Sequence, residues 1–306
     1  VPAPLVECVP NFSEGRRAAV IDRIAAAARA VPGSRLLDVS ADPDHNRTVL
    51  TIVGGGEAVL EAAFRSAAVA VSEIDLRSHQ GVHPRIGAVD VVPFVPLCGA
   101  SLAECVELAQ RLGELLAARL GLPVYLYGAA ARDPARRVLA AIRRGGFEQL
   151  QQTIGEPGRR PDLGPDRVHP TAGAVAVGAR HVLIAMNVDL ASQDLRAARA
   201  IARAVRESSG GLPGVQAMGV PLPSRRLVQV SMNLLDYRRT PPVAAFERVA
   251  AEAAVLGIDV AAGELVGCAP REALPPDPVS ALRLRALRPE QILDPARLAR
   301  ELHGGE

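Results

Sequence analysis

Two hydrophobic periodicities alternate along this chain, and the order of that alternation constrains its fold more than any other feature. A short apolar run at 5–9 precedes Val20, Ile21, Ile24, Ala28 and Val31, which recur at helical spacing. β-Rich runs follow at 35–39 and 48–53. Leu60, Phe64, Ala67, Ala68 and Val71 then mark one face of a second helix, and 89–95 reads as a closing strand. The turn formers of Asp42-Pro43-Asp44-His45-Asn46-Arg47 join the two central runs, which should pair as neighbours.

The same order returns after His181. A strand at 182–188 leads to a helix with Ala198, Ile201, Ala202 and Val205 on one face. A hairpin over 215–237, a helix over 243–256 ended by Gly257 and a strand at 265–268 complete the set. The expectation is an α/β (α+β) protein of two ferredoxin-like βαββαβ subdomains, 1–180 and 181–272, with a helical tail at 273–306. The halves agree in element order without a residue-level repeat. Between them stand a helix over 102–120, a strand at 124–127 and an arginine-bearing helical segment at 135–144. A Pro/Gly/Arg-rich stretch at 155–173 reads as a connector, placed where a ligand cleft between subdomains would form.

With 306 residues, 49% of them hydrophobic, the chain can bury two cores of ordinary size. Its apolar runs fall short of the roughly 20 residues that span a bilayer, and the start lacks a signal-peptide pattern, so a cytoplasmic protein is expected. The four cysteines have no CxxC pairing, which fits a reduced compartment. All 35 basic residues are arginine, so a lysine Schiff base and a lysine-bearing P-loop are excluded. Arginine forks suit carboxylates. A net charge of +2, 3% aromatic residues and no Trp give little basis for nucleic-acid binding.

His79 and His83 are four apart, a spacing that pairs metal ligands on a helix, but Gly81 and Pro84 interrupt any helix here and no third ligand is placed. No metal is expected. From the residues alone His83 reads first as a turn histidine; Pro84 and Arg85 beside it are the reason to consider it further. Asp42 and Asn46 likewise read first as turn formers. Gly54-Gly55-Gly56 fits neither GxGxxG nor a P-loop, and Glu57 puts a negative charge where a phosphate would sit, so a permissive turn is the reading.

Longer segments add a resemblance. Val6 through Gly15 (VECVPNFSEG) resembles the opening of glutamate formimidoyltransferases. The likeness continues through Asn46-Arg47-Thr48-Val49, His79 to Arg85, Gly87-Ala88-Val89-Asp90-Val91, Val124 to Gly128 and Asp162-Leu163-Gly164-Pro165. It resumes at Gly178-Ala179-Arg180, Asn187, Asn233-Leu234-Leu235-Asp236 and Glu264-Leu265-Val266-Gly267. It implies two α/β subdomains with a folate cleft, a homodimer, and tetrahydrofolate as co-substrate. The implied reaction is formimino transfer from N-formimino-L-glutamate, with N-formylglutamate as an alternative donor and a folate-binding protein without turnover as a rival.

The family's catalytic histidine maps onto His83, and its folate stretch onto Gly164, Pro165, Asp166, Arg167, Val168, His169, Pro170, Thr171, Ala172 and Gly173. Two positions depart from animal members: Ser40 stands where they carry an Asp, and Ala172 where they carry a Trp. The helper carboxylate then falls to Asp42, with Asp38 as a second candidate. Chemistry of the implied donor makes Arg47 and Arg85 candidate carboxylate clamps, with Asn46 beside them. The chain is too short to include the cyclodeaminase domain of the animal enzyme, so a separate protein is expected to supply that step.

Overall fold

The computed structural model describes residues 4–303. It divides into two compact units, residues 1–181 with 295–306, and residues 182–294.

The first unit is built on one mixed sheet. β1 (Val6–Cys8) and β2 (Asn11–Phe12) are successive pieces of one strand position, lying between β4 (Arg47–Gly54) and β5 (Val89–Pro96), with β3 (Ser34–Asp42) outside β4. These pairings are antiparallel and give the ferredoxin-like order read from the sequence. α1 (Ala18–Arg29) and α2 (Gly56–Glu73) cover one face, burying Ile24, Ala28, Leu60 and Ala67 against Leu50, Ile52 and Phe94. A third helix, α3 (Leu102–Leu120), joins that face. Ser101 and Glu104 form a capping box at its start, and Gly121 ends it in the left-handed conformation.

The chain then adds two strands to the same sheet. β6 (Val124–Gly128) and β7 (Val175–Ala179) pair in parallel, and β7 pairs in parallel with β5. Residues 155–173, expected as a connector, are therefore an excursion within the first unit. Their backbone and side chains are tied to that sheet: Val124 N–H donates to the carbonyl of Leu163, and the Asp162 carboxylate accepts Leu126 N–H and pairs with Arg136. α4 (Leu139–Ile142) and α5 (Gly146–Thr153) place Ile142, Leu150 and the following Ile154 in a second cluster with Val91, Tyr125, Tyr127 and Ala176.

The second unit is the expected βαββαβ fold. β8 (Ile184–Leu190), α6 (Leu195–Val205), β9 (Val215–Leu222), β10 (Leu227–Leu234), α7 (Pro242–Val255) and β11 (Val260–Val266) give the sheet order β11-β8-β10-β9, all antiparallel. Alternation puts Ile184, Met186, Val188 and Leu190 on the helix-covered face. The residues after 272 do not form a separate tail. Ala273, Leu282 and Leu284 enter the second core, and β12 (Ala269–Pro270) pairs with β13 (Ile292–Leu293) on either side of α8 (Pro278–Ala281). α9 (Pro295–His303) belongs to the first unit. Apolar side chains at 282 and 284 decide this, because a free tail would leave them in water. Among the described residues no helix is long and apolar enough to cross a membrane.

Candidate functional site

The β3–β4 hairpin turn is the floor of the site. The Asp42 carboxylate accepts the backbone N–H groups of Asp44 and His45, each at 2.8 Å, and Asn46 takes a left-handed φ of 48°. Asn tolerates that conformation better than most side chains. Both of its polar ends are committed: Oδ1 accepts Gly15 N–H at 2.9 Å, and Nδ2 donates to the carbonyl of Gln80 at 2.9 Å. Asn46, expected as a substrate ligand, is a clasp between the N-terminal segment, the turn and the His79–Arg85 loop. Gly15 must be glycine, since a Cβ there would stand 2.2 Å from the carbonyl oxygen of Asp42. Gly81 is under the same restriction from the carbonyl of His45, at 2.3 Å.

The loop carrying the two histidines docks onto this floor. Val82 N–H donates to the carbonyl of Asp44 at 3.1 Å. His79 has both ring nitrogens engaged, Nε2 with the carbonyl of Asn46 at 2.9 Å and Nδ1 with Arg85 Nε–H at 2.8 Å. A carbonyl only accepts and an arginine only donates, so the proton sits on Nε2 and the ring is neutral. Burial, with the nearby Arg85 charge adding to it, lowers the His79 pKa. His79 is a structural histidine. Its nitrogens are taken, and among the described residues no group of three or more His, Cys, Asp or Glu is arranged to hold a metal.

His83 differs. The half-buried ring sets Nδ1 2.8 Å from the carbonyl of Pro84, which fixes the proton on Nδ1 and leaves the lone pair on Nε2. Burial, then the charges of Arg47 and Arg143, hold its pKa well below the ordinary imidazole value. His83 is thus a neutral base near pH 7. The ring of His45 lies 5.8 Å away, centroid to centroid.

The charges acting on His83 belong to a cluster that sequence reading missed. Asp90 is completely buried and accepts from Arg47 Nη1 at 2.7 Å, from Arg143 Nη2, and from the Ile86 N–H at 2.9 Å. Burial alone would raise its pKa, but Arg143, Arg47 and the Ile86 N–H override that and keep it ionised. Arg47 also donates Nε–H to Asn11 at 3.0 Å; burial draws its pKa down to about 10. The local cause is an irregular register. Asn11 faces Val91 and Phe12 faces Val89, so Asp90 is the extra residue between them and turns toward the arginines. Ser13 fastens the same stretch by donating to the carbonyl of Gly87 at 2.7 Å. Asp42, expected to assist His83, accepts two turn N–H groups, and the charge of the buried Asp90 favours protonation of His83. Ser40 donates to the buried Asp38 at 2.5 Å.

Arg85, expected as a carboxylate clamp, is occupied. It donates to His79 through Nε and Nη2, and both terminal nitrogens meet the Glu148 carboxylate at 3.1 and 2.8 Å. The folate stretch borders the same loop. Gly164 and Gly173 have φ of +82° and +72°, and His169 and Gly173 exchange backbone hydrogen bonds around a turn whose Ala172 is fully buried. A buried methyl at 172 gives no stacking face. Ala174 N–H donates to Ile86 and Leu76 N–H to Thr171, tying this turn to the strand entry beside Arg85. Asp166, Arg167 and Pro170 are exposed, whereas Pro165, Val168, His169 and Thr171 are half-buried.

The arrangement is one of acid–base chemistry at a site with cationic character. Comparisons with known proteins give the family of the chain. The profile of the formiminotransferase domain, N-terminal subdomain, matches residues 5–180, and that of the formiminotransferase domain matches residues 185–276. The chain is 43% identical over 272 residues to the glutamate formimidoyltransferase of Streptococcus pyogenes serotype M1, covering 89% of this chain and 91% of that one. It is 46% identical over 272 residues to the glutamate formimidoyltransferase of Thermoplasma acidophilum, covering 88% and 89%. With the formimidoyltransferase-cyclodeaminase of Sus scrofa it shares 46% identity over 276 residues, 88% of this chain but 51% of that protein. Matched through both units and across most of its length, the chain belongs to the formiminotransferase family.

Proposed function

We propose that this protein transfers the formimino group of N-formimino-L-glutamate to tetrahydrofolate, giving 5-formiminotetrahydrofolate and L-glutamate. The observation that carries the reading is the state of His83: a neutral imidazole with Nδ1–H on the Pro84 carbonyl and a lone pair on Nε2. Amidine exchange needs such a group. As the folate N5 bonds to the formimino carbon, the N5 proton must leave, and the glutamate nitrogen must gain a proton before its bond to that carbon breaks.

His83 Nε2 takes the first proton and returns it for the second step, a contribution of about 100- to 10,000-fold. Because Arg47 and Arg143 disfavour the imidazolium, the protonated ring is a ready donor, and Asp90 keeps it accessible. In this reading Asp42 positions the turn, and Arg47 with Arg143 supplies the field for the anionic donor. The stretch from Gly164 to Gly173 contacts the folate, supported by its bonds to the entry of β5 and by its backbone-lined glycine turn. The buried methyl at 172 leaves this contact to backbone and to the polar groups of His169 and Thr171. The protein acts in histidine degradation in the cytoplasm, as a homodimer, with the cyclodeaminase step supplied by a separate protein.

Purified protein mixed with tetrahydrofolate and either N-formimino-L-glutamate or N-formyl-L-glutamate tests this through glutamate release. The expected result is release with the formimino donor at a kcat/KM at least tenfold above that with the formyl donor. Preference for the formyl donor would replace the substrate, and folate binding without release from either would replace the activity.

A further inference from the structure

The cluster around Asp90 is unbalanced. Two guanidiniums, Arg47 and Arg143, share one carboxylate, and His83 beside them is neutral. Arg47 spends Nε on Asn11 and Nη1 on Asp90. Arg143 spends Nη2 on Asp90, and its Nε–H is buried with no hydrogen-bond partner. The Arg143 side chain as a whole keeps 15% of its surface exposed, so its guanidinium can be reached from outside. Arg143 follows α4 directly, its own N–H closing that helix on Leu139, while its carbonyl accepts Gly146 N–H as α5 begins. The backbone that carries the guanidinium is therefore fixed on both sides of residue 143.

We infer that Arg143 is the residue that binds the α-carboxylate of the glutamate donor, through Nη1, the terminal nitrogen that Asp90 does not engage. An excess positive charge that is fixed and partly buried calls for an anion, and a guanidinium with one terminal nitrogen left over presents a charge-assisted donor to a carboxylate. Proximity to His83 selects which carboxylate. The α-carboxylate is two bonds from the nitrogen that His83 must protonate, whereas the γ-carboxylate is four bonds away. Arg85, the alternative fork, already holds Glu148 and His79. The inference rests on the proposed donor being a glutamate derivative.

The test measures L-glutamate binding by calorimetry and steady-state kinetics for the wild type, Arg143→Gln and Arg143→Lys. Losing a charge-assisted hydrogen bond should weaken glutamate binding and raise the donor KM by roughly 10- to 100-fold in both variants, with the folate KM within about twofold of wild type. Glutamine, which keeps the α-carboxylate, should bind in an Arg143-dependent way; isoglutamine, whose α-carboxyl is an amide, should bind wild type and Arg143→Gln equally poorly. Unchanged glutamate affinity in Arg143→Gln would overturn the assignment, as would discrimination against isoglutamine that survives the substitution. A wild type that binds glutamate through Arg143 but releases none from the formimino donor would instead count against the proposed reaction and leave this assignment standing. Thermal unfolding of each variant separates lost binding from lost fold.

Discussion

Single buried charges set much of the behaviour of this molecule. Glu7 lies in β1, buried, and desolvation pushes its pKa up to about 7 against the opposing charge of Arg180. The folded-state value exceeds the unfolded one, so the folded state favours the protonated form; stability is highest below the unfolded value of 4.5 and falls as pH rises through the folded value. Glu7→Gln should therefore raise stability at pH 8 by up to about 3 kcal/mol and leave it nearly unchanged at pH 4, as read by urea unfolding at both pH values. Asp90 is the opposite case. Asp90→Asn removes the carboxylate that pairs with both Arg47 and Arg143 and should destabilise the fold by about 3–5 kcal/mol, seen as a lower urea midpoint. An equal midpoint would show that another group neutralises the arginines.

His83 was visible in the sequence because Pro84 and Arg85 stand beside it and because its segment resembled a known one. Its tautomer was not visible, since that depends on a carbonyl orientation. Asp90 lies within Gly87-Ala88-Val89-Asp90-Val91 and reads as part of a strand, because nothing local reveals that the register across Asn11 and Phe12 skips it. Arg143 was one arginine among many; only its position against Asp90 distinguishes it.

At the level of elements, close backbone approach replaces side-chain packing where the site meets the sheet. Gly87 enters β5 with Ala174 alongside, and a Cβ on it would lie 1.9 Å from the Ala174 oxygen and 2.5 Å from that of Val89. Gly87→Ala should cost roughly 2–3 kcal/mol and disturb the loop that carries His83, lowering kcat with it. Gly55→Ser is the control. It caps α2 with open space around its Cβ position, so the change should fall within about 0.5 kcal/mol of neutral. A differential-scanning comparison of the two variants checks both.

Elements with strong alternation or helical period were legible, including the hairpin and the helices on either side of it. β7 was not, because 174–179 is a short run of small apolar residues buried within the sheet between two parallel neighbours, without the alternation that marks a half-exposed strand. Its Gly- and Pro-rich approach looked like a linker for the same reason. The structural role of that approach comes from pairing with β6, which is separated from it by more than thirty residues in sequence.

For the whole molecule, the chain order and the order of packing differ at the C-terminus. Residues up to Asp294 complete the second unit, whereas α9 returns to the first, burying Leu298 and Ala299 and placing Glu301 against Arg35. Truncation after Asp294 should therefore destabilise the first unit by about 2–3 kcal/mol, from the loss of one buried Leu and adjoining apolar surface. Hydrogen exchange would show faster opening across 5–180 and little change across 182–294. Equal protection in both would contradict the assignment of α9.

Both units carry the family's segments, yet the groups argued to move the proton lie in the first. The direct test is the pH dependence of kcat/KM for formimino transfer in wild type and in His83→Ala. With the His83 pKa depressed, the wild-type acid limb should fall well below pH 6.5, and His83→Ala should lose about 100-fold or more in kcat together with that limb, its folate affinity retained. A His83→Ala enzyme with wild-type turnover and the same acid limb would contradict the account.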